Sequence, residues 1–255
     1  MTRAVPLKYT HRSLSAGSAP NGDVGMALLV EMPAIDVAVA ELKTWGETWA
    51  RRSAFDRKDS MRFGKVFEAR VASALATMLG GVPVRKAKKN SLLPEGDCVE
   101  CGECRVIGGI RPQNYDVCYR PDGVRFAFDC KTLNDAKSLQ KNYQNMINDL
   151  ATEATTVHTR FPYAIVGFMV VVPVPVLVSP QKEALTGALG RLSPRHSYLD
   201  SAHKAEVAAL VLWDPATGAI DPDWPQHASP LRIERFSDQV HAEYASRYYG
   251  LPPHD

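Results

Sequence analysis

Two aspartates and a lysine, Asp116, Asp129 and Lys131, lie in a stretch that the sequence predicts to form a β-hairpin. An Asp-Gly pair at positions 122–123 separates two segments rich in β-branched and aromatic residues, which is a strong signal for a two-residue hairpin turn. Pairing outward from such a turn places Asp116 directly opposite Asp129. Because side chains alternate between the two faces of a strand, Lys131 is expected on the same face as Asp129.

This arrangement would bring two carboxylates together, with Cβ atoms about 5 Å apart on neighbouring strands. Like charges directly opposite each other destabilise a sheet, and a divalent cation between them would remove the repulsion. Mg²⁺ accepts oxygen ligands from one or two carboxylates together with water. The amine of Lys131 would then orient or deprotonate a water molecule and stabilise negative charge on a phosphate.

The opposite face of the hairpin is predicted to be a core-facing layer. It would collect the side chains of Tyr115, Val117, Tyr119, Val124, Phe126, Phe128 and Cys130. In the alternative interpretation the hairpin faces solvent, and Asp129 and Lys131 form only a weak surface ion pair. Short acidic patterns recur by chance, so the hairpin alone supports both interpretations equally.

Hydrophobic periodicity and turn residues predict regular elements on both sides of the hairpin. Helices are expected at 32–50, 60–79, 135–158 and 237–249, and strands at 82–90, 163–172, 206–213 and 231–233. Residues 179–205 are interpreted as a polar connection. Glu68 lies in the second helix, beside its apolar stripe, where it would either be solvated or reach a metal held by a neighbouring sheet.

The composition is that of an ordinary globular protein, with 255 residues, of which 45% are hydrophobic and 23% are charged. We expect a single domain over 1–255, with a flexible arm at 1–23 that is rich in Ser, Gly and Pro. The sequence lacks a run of about 20 apolar residues and a signal-peptide pattern, so a cytoplasmic protein without membrane contact is expected. A net charge of +2 does not by itself indicate nucleic-acid binding, so the evidence for such binding has to come from local basic clusters.

Three cysteines, Cys98, Cys101 and Cys104, form two overlapping Cys-x-x-Cys pairs in a stretch that is predicted to be a loop. Such pairs are typical of structural zinc sites, and Cys118 is the candidate fourth ligand. The usual second Cys-x-x-Cys or His pair is missing from the sequence. Free thiols in a loop are therefore the alternative.

Basic and amide side chains cluster at three places that suit contact with phosphates and base edges. The candidates are Lys86, Lys88 and Lys89 at the end of an early strand, Arg111, Gln113 and Asn114 before the hairpin, and Lys137, Lys141, Asn142 and Asn145 on the helix after it. For each cluster, a solvated surface without a ligand is the alternative.

The order of the candidate residues resembles that of the PD-(D/E)XK nuclease superfamily. The matching residues are Glu68 on an early helix, Asp116 at the beginning of one strand, and Asp-x-Lys at 129–131 on the next strand. The resemblance covers residues 60–175 as a catalytic core, and residues 176–255 would extend the same domain. It implies an α/β fold in which a mixed central β-sheet is flanked by helices.

The resemblance also implies a Mg²⁺-dependent phosphodiesterase. Asp116 and Asp129 would bind the metal, together with the backbone carbonyl of Cys130. Lys131 would position or activate the attacking water, and Glu68 would assist the metal or its waters. Hydrolysis by such enzymes leaves a 5′-phosphate and a 3′-hydroxyl.

Within that superfamily the chain looks most like a type II restriction endonuclease, an enzyme that cuts double-stranded DNA at a specific sequence. It has no Gly-x-x-x-x-Gly-Lys-Ser/Thr phosphate loop, so no nucleotide cofactor is expected. Such endonucleases usually act as homodimers, because cutting both strands of a symmetric site needs two active sites related by a two-fold axis. The alternatives are a structure-directed or repair DNA nuclease of the same superfamily and a zinc-containing DNA-binding protein without catalysis.

Overall fold

A computed structural model describes residues 29–94 and 96–253, apart from the side chains of residues 137, 138 and 140–142. Its centre is a six-stranded sheet with the strands in sequence order. The strands are β1 (Val84–Lys86), β2 (Val99–Ile107), β3 (Pro112–Tyr119), β4 (Phe126–Thr132), β5 (Ile165–Pro173) and β6 (Val207–Trp213). The β2–β3 and β3–β4 pairs are antiparallel, and the other pairs are parallel. The expected mixed sheet is therefore confirmed.

Five helices flank this sheet, which makes the fold α/β as predicted. They are α1 (Val39–Ala50), α2 (Arg57–Met78), α3 (Ala136–His158), α4 (Ser179–Leu192) and α5 (Ile233–Tyr248). Helix α2 packs against β1, β2, β3 and β4, whereas α5 packs against β5 and β6. Strands β5 and β6 are buried along their whole length, as their continuous apolar sequence requires of central parallel strands.

The hairpin of β3 and β4 has the register that the sequence predicts. Val117 pairs with Phe128 and Tyr119 pairs with Phe126, and this register extended by one residue puts Asp116 opposite Asp129. The predicted two-residue turn is wrong, because the ladder ends at Tyr119 and Phe126 and residues 120–125 form a longer loop. Two arginines in this loop make ion pairs that a tight turn would not allow.

These ion pairs fix the hairpin loop from both ends. Arg120 makes a buried bidentate pair with Glu100 on β2, at 2.6 and 2.8 Å. Arg125 makes a bidentate pair with Asp122, which lies within the loop itself. A charge-assisted pair of this geometry is among the strongest side-chain contacts, so it decides the loop's path over the local Asp-Gly preference.

The hairpin is covered on both faces, so the alternative of a solvent-facing hairpin is contradicted. The predicted core layer is buried at Tyr115, Val117, Tyr119, Val124, Phe126 and Phe128, and half-buried at Cys130. Asp129 is only 6% exposed, and Cys118 and Ala127 are fully buried. Asp129 and Lys131 are therefore not a solvated surface pair.

Several predicted boundaries and elements differ from the structure. The first helix begins at Val39 rather than at residue 32, because residues 29–38 have no regular structure. Ile35 and Val37 are both buried there, and a spacing of two residues is that of an extended chain and not of a helix. The stretch predicted to be a loop at Cys98 and Cys101 largely belongs to β2. Its backbone groups are satisfied by pairing with β3, so it is a strand despite its glycine.

The C-terminal third also holds elements that the sequence interpretation missed. The supposed polar connection at 179–205 begins with helix α4, whose buried side chains are Leu185, Ala188, Leu189 and Leu192. Their spacing of three and four residues is that of an amphipathic helix. The predicted short strand at 231–233 is wrong, since Ile233 is the first residue of α5.

The N-terminal arm predicted at 1–23 lies outside the described residues. Strand β6 comes from the predicted extension at 176–255 and pairs with β5, so this segment contributes to the central sheet. Across residues 29–94 and 96–253, no helix combines the length and the apolar character needed to cross a bilayer.

Candidate active site

The hairpin brings the carboxyl groups of Asp116 and Asp129 within hydrogen-bonding distance of each other. Oδ2 of Asp116 also accepts a hydrogen bond from the backbone N–H of Cys130, at 2.8 Å. Loss of solvent around the Asp116 carboxyl, together with the charge of Asp129, raises the pKa of Asp116 to about 10. Without a cation between them, the two carboxyl groups therefore do not both ionise at neutral pH, and Asp116 keeps its proton beside Asp129.

Helix α2 adds a third carboxylate to this pair. Glu68 is only 8% exposed, and its charge acts on Asp116. Burial is the main cause that raises the pKa of Glu68 to about 7, and the charge of Asp129 adds to it while Lys65 opposes it. The helix residue nominated from the sequence is thus placed beside the two aspartates.

Lys131 lies between two carboxylates. Its Nζ contacts Oδ2 of Asp129 and lies 3.0 Å from Oε1 of Glu153. Burial lowers the pKa of Lys131, but the charges of Asp129 and Glu153 outweigh it and hold the pKa above its ordinary value. Lys131 is therefore an ammonium group in this arrangement, which suits orienting a water and stabilising anionic charge more than removing a proton.

Glu153 on α3 is the site residue that the sequence interpretation missed. It is only 4% exposed, and its carboxyl contacts that of Asp129. Burial, reinforced by the charge of Asp129, raises the pKa of Glu153 to about 8, although Lys131 opposes this. A signal was present in the sequence, because Glu153 interrupts the apolar stripe of α3 between Leu150 and Val157.

An open cleft of about 490 Å³ gives access to the carboxylates from solvent. Its lining includes Glu68, Asp116 and Asp129, and it also includes the lysines Lys65, Lys86 and Lys89. Lysines beside carboxylates provide separate places for a phosphate and for a cation. The cleft can therefore receive a phosphate group next to the aspartate pair.

A β-bulge forms one wall of this cleft. The register between β2 and β3 shifts between Cys101 and Cys104, and the intervening Gly102 and Glu103 both have positive φ, 89° and 46°. Both residues line the cleft. Bulges bend a strand and re-aim its side chains, so this one shapes the approach to the carboxylates.

The donor set fits a hard divalent cation. Asp116, Asp129 and the backbone carbonyl of Cys130 offer only oxygen atoms, which Mg²⁺ prefers. Four carboxylates share this region, and burial is the main cause that raises the pKa values of Asp116, Glu68 and Glu153, while the charge of Asp129 adds to it at all three. In the described part of the chain, however, no three His, Cys, Asp or Glu side chains are already arranged as a metal-binding group.

The cysteines nominated for zinc do not form such a group either. Cys98, Cys101, Cys104 and Cys118 are all free thiols, and Cys104 and Cys118 are completely buried. Sγ of Cys104 donates to the backbone carbonyl of Glu100 at 3.4 Å. Burial raises the pKa of the Cys98 and Cys118 thiols, and it raises the pKa of Cys101 to about 11. Zinc binds thiolates, so these surroundings give the zinc interpretation no support.

The nominated DNA-contact residues fall into different surroundings. Lys86 and Lys89 line the cleft, and Lys88 lines a groove beside it. Arg111, Asn114 and Asn145 are exposed. Gln113 is half-buried, and its Nε2 donates to Oε1 of Glu153 at 3.2 Å, so it is engaged inside the protein. The side chains of Lys137, Lys141 and Asn142 are outside the described part.

No protein-family model, curated protein or solved structure matches this chain. The resemblance noted from the residues therefore gains no support from these comparisons. Function has to be inferred from the chemistry of the site itself.

Proposed function

We propose that this protein is a Mg²⁺-dependent DNA endonuclease of the PD-(D/E)XK type, which cuts double-stranded DNA at a specific sequence as a homodimer. The observation that carries the proposal is the contact between Asp116 and Asp129 at the base of a lysine-lined cleft, with Lys131 in contact with Asp129. Sequence specificity and dimerisation rest on the resemblance to type II restriction endonucleases.

In this proposal Asp116 and Asp129 hold the metal, with the backbone carbonyl of Cys130 as a third oxygen ligand. When bound, Mg²⁺ would supply Lewis-acid chemistry to a phosphate oxygen and to a water molecule. Glu68 lies beside the aspartate pair and would accept hydrogen bonds from waters in the cleft. Each of these groups is an oxygen donor, as a magnesium site requires.

Lys131 would orient the attacking water and stabilise the negative charge that develops on phosphorus. Its ammonium contacts Asp129, the proposed metal ligand that lines the cleft. In-line attack would leave a 3′-hydroxyl on one fragment and a 5′-phosphate on the other.

The lysines of the cleft would contact the phosphates of the bound strand. Lys65 comes from α2, while Lys86 and Lys89 come from the edge strand β1 and the segment after it, and all three are exposed. A strand lying in the cleft would therefore meet cations from α2 and from the β1 segment near the aspartate pair. Such contacts position the backbone and carry no sequence information, so base recognition would depend on other side chains.

Incubation of the purified protein with a long, unmodified bacteriophage DNA tests this function, with Mg²⁺ in one reaction and EDTA in the other. Discrete fragments that appear only with Mg²⁺ are expected, and sequencing their ends would give the recognition site. A smear would instead indicate a nonspecific nuclease. Intact phage DNA together with cleavage of branched or damaged DNA would indicate the structure-directed alternative, and no cleavage of any substrate would contradict the proposal.

A further inference from the structure

Glu153 is placed to hold Lys131 rather than to line the cleft. Its Oε1 is 3.0 Å from Nζ of Lys131, and residues of the cleft wall include Asp129 but not Glu153. Lys131 therefore lies between a carboxylate that faces the cleft and one that lies behind it. The second carboxylate draws the ammonium toward α3 and limits the positions that it can take.

A lysine needs such a partner if it is to act at a fixed point. Its four-carbon stem is flexible, and its ammonium has no planar geometry of its own to set a direction. An error of about 1 Å in the placement of a catalytic group can cost about 100-fold in rate. Contacts with Asp129 and Glu153 together restrict the ammonium more than either contact would alone.

Glu153 is itself fixed by two residues of β3. Nε2 of Gln113 donates to Oε1 of Glu153 at 3.2 Å, and Oη of Tyr115 donates to the backbone carbonyl of Glu153 at 2.9 Å. Strand β3 also carries Asp116. Strand β3 thus provides the metal-ligand candidate Asp116 and also fixes Glu153, which holds Lys131.

Stability alone does not account for this cluster. A buried ion pair is often no more stabilising than apolar residues of the same volume, because the charges lose their hydration. Oε2 of Glu153 is buried and has no hydrogen-bond donor among the described residues. A buried carboxyl group that lies against the carboxyl of Asp129 is costly for the fold, and a role at the neighbouring site explains it.

We infer that Glu153 is a positioning residue, which holds the ammonium of Lys131 beside Asp129 for phosphodiester hydrolysis and is itself held by Gln113 and Tyr115. This inference rests on the proposed nuclease function. It adds a fourth acidic residue to the reaction centre, and that residue acts through Lys131 without touching the substrate.

The experiment compares wild type with Glu153→Gln in single-turnover cleavage of the bacteriophage DNA with Mg²⁺. The amide keeps the size of the side chain and an oxygen for Gln113, but it removes the carboxylate that contacts Lys131. Both reactions are run at about pH 9, where Glu153, with its pKa of about 8, is ionised. At saturating protein the cleavage rate is expected to fall by about 10- to 100-fold, with unchanged DNA affinity in EDTA. Asp149→Asn, on the exposed side of the same helix, is the matched control and should cut at the wild-type rate.

A second measurement follows Lys131 directly and needs no activity. Both proteins are treated with acetic anhydride without metal, and acetylation of each lysine is measured by peptide mass spectrometry. Because Glu153→Gln removes one of the two carboxylates that hold the amine, Lys131 should react at least about threefold faster in the variant. The exposed Lys86 should react equally in both proteins and serves as the internal standard.

Circular dichroism identifies a variant that fails to fold, and Glu153→Asp then replaces Glu153→Gln, since it keeps the charge but withdraws it from Lys131.

Unchanged acetylation of Lys131 would overturn the inference, as would loss of DNA affinity with an unchanged rate at saturation. A wild-type protein that cuts no DNA would refute the proposed function. In that case the acetylation result would still decide whether Glu153 holds Lys131.

Discussion

The backbone N–H of Cys130 donates to Oδ2 of Asp116 at 2.8 Å, so the two hairpin strands remain joined beyond the last residues of their ladder. This bond crosses from β4 to the carboxylate on β3. It holds the carboxyl group of Asp116 beside that of Asp129. The aspartate pair is therefore built into the hairpin and does not depend on a loop.

Replacing Glu68 by Gln should lower Mg²⁺-dependent cleavage by about tenfold or more, because the carboxylate beside the aspartate pair loses its charge. DNA binding in EDTA should be retained. The measurement is the single-turnover cleavage rate, and Glu47→Gln on the exposed side of α1 is the control. An unaffected rate would show that Glu68 is only a packing residue of α2.

Gln113→Leu separates two roles for a residue nominated as a DNA contact. Its Nε2 donates to Glu153, so loss of the amide should lower the cleavage rate at saturating DNA by about 3- to 10-fold and leave DNA affinity unchanged. A direct base contact predicts the reverse, with weaker binding and an unchanged rate at saturation. Kinetics over a range of protein concentrations distinguish the two results.

The hairpin register was predictable from sequence, whereas the path of its loop was not. Counting outward from Asp122 and Gly123 predicted the register, and the register holds because the longer loop at 120–125 is centred on the same two residues. The loop depends on Arg120 pairing with Glu100, a residue that lies 20 positions away. Contacts of that range leave no local pattern in the sequence.

Glu153 was missed for a different reason. The apolar residues of α3 alone predict its inner stripe, and they leave out the charged residue that occupies one position of that stripe. Because Met146, Leu150, Glu153 and Val157 follow helical spacing and are all buried, the charge itself was the signal. A buried acidic residue on an otherwise apolar stripe needs a partner, and here that partner is Lys131.

A second buried carboxylate, Glu206, should make stability depend on pH. Although burial opposes it, hydrogen bonding and charge from His158, with the charge of Arg247, lower the pKa of Glu206 from 4.5 to about 2. Arg195 also donates to it, at 2.8 Å. A lowered folded-state pKa gives stability that is fully present above about pH 4.5 and is lost as pH falls toward 2. The loss should be on the order of 3 kcal/mol.

Glu206→Gln should destabilise the protein at pH 7 by about 3–5 kcal/mol, because it leaves the buried Arg195 without its counter-charge. Urea denaturation at pH 7 and at pH 3 measures the free energy of unfolding of both proteins. The variant should lose less stability than wild type between these pH values. Glu234→Gln, which removes an exposed partner of Arg232, is the control and should have little effect. Equal pH dependence in wild type and Glu206→Gln would contradict this assignment.

Gly108→Ala should destabilise the fold by about 1–3 kcal/mol, because the new Cβ would lie 2.3 Å from the backbone oxygen of Thr156. This close approach joins the turn between β2 and β3 to α3, the helix that carries Glu153. Gly190→Ala is the matched control, since it lies in α4 with no neighbour within 4 Å of the new Cβ. That variant should be stabilised by about 0.5–1 kcal/mol. Thermal denaturation measures both changes.

The most direct test of the central claim measures Mg²⁺-dependent cleavage of phage DNA by Asp129→Asn and Lys131→Ala beside wild type. Each variant should lose at least about 100-fold in cleavage rate, since one removes a metal ligand and the other the cation that acts on the water. Both should still bind DNA in EDTA, and Asp129→Asn should bind at least as tightly as wild type because it removes a negative charge near the phosphates. Cleavage by either variant at the wild-type rate would contradict the account.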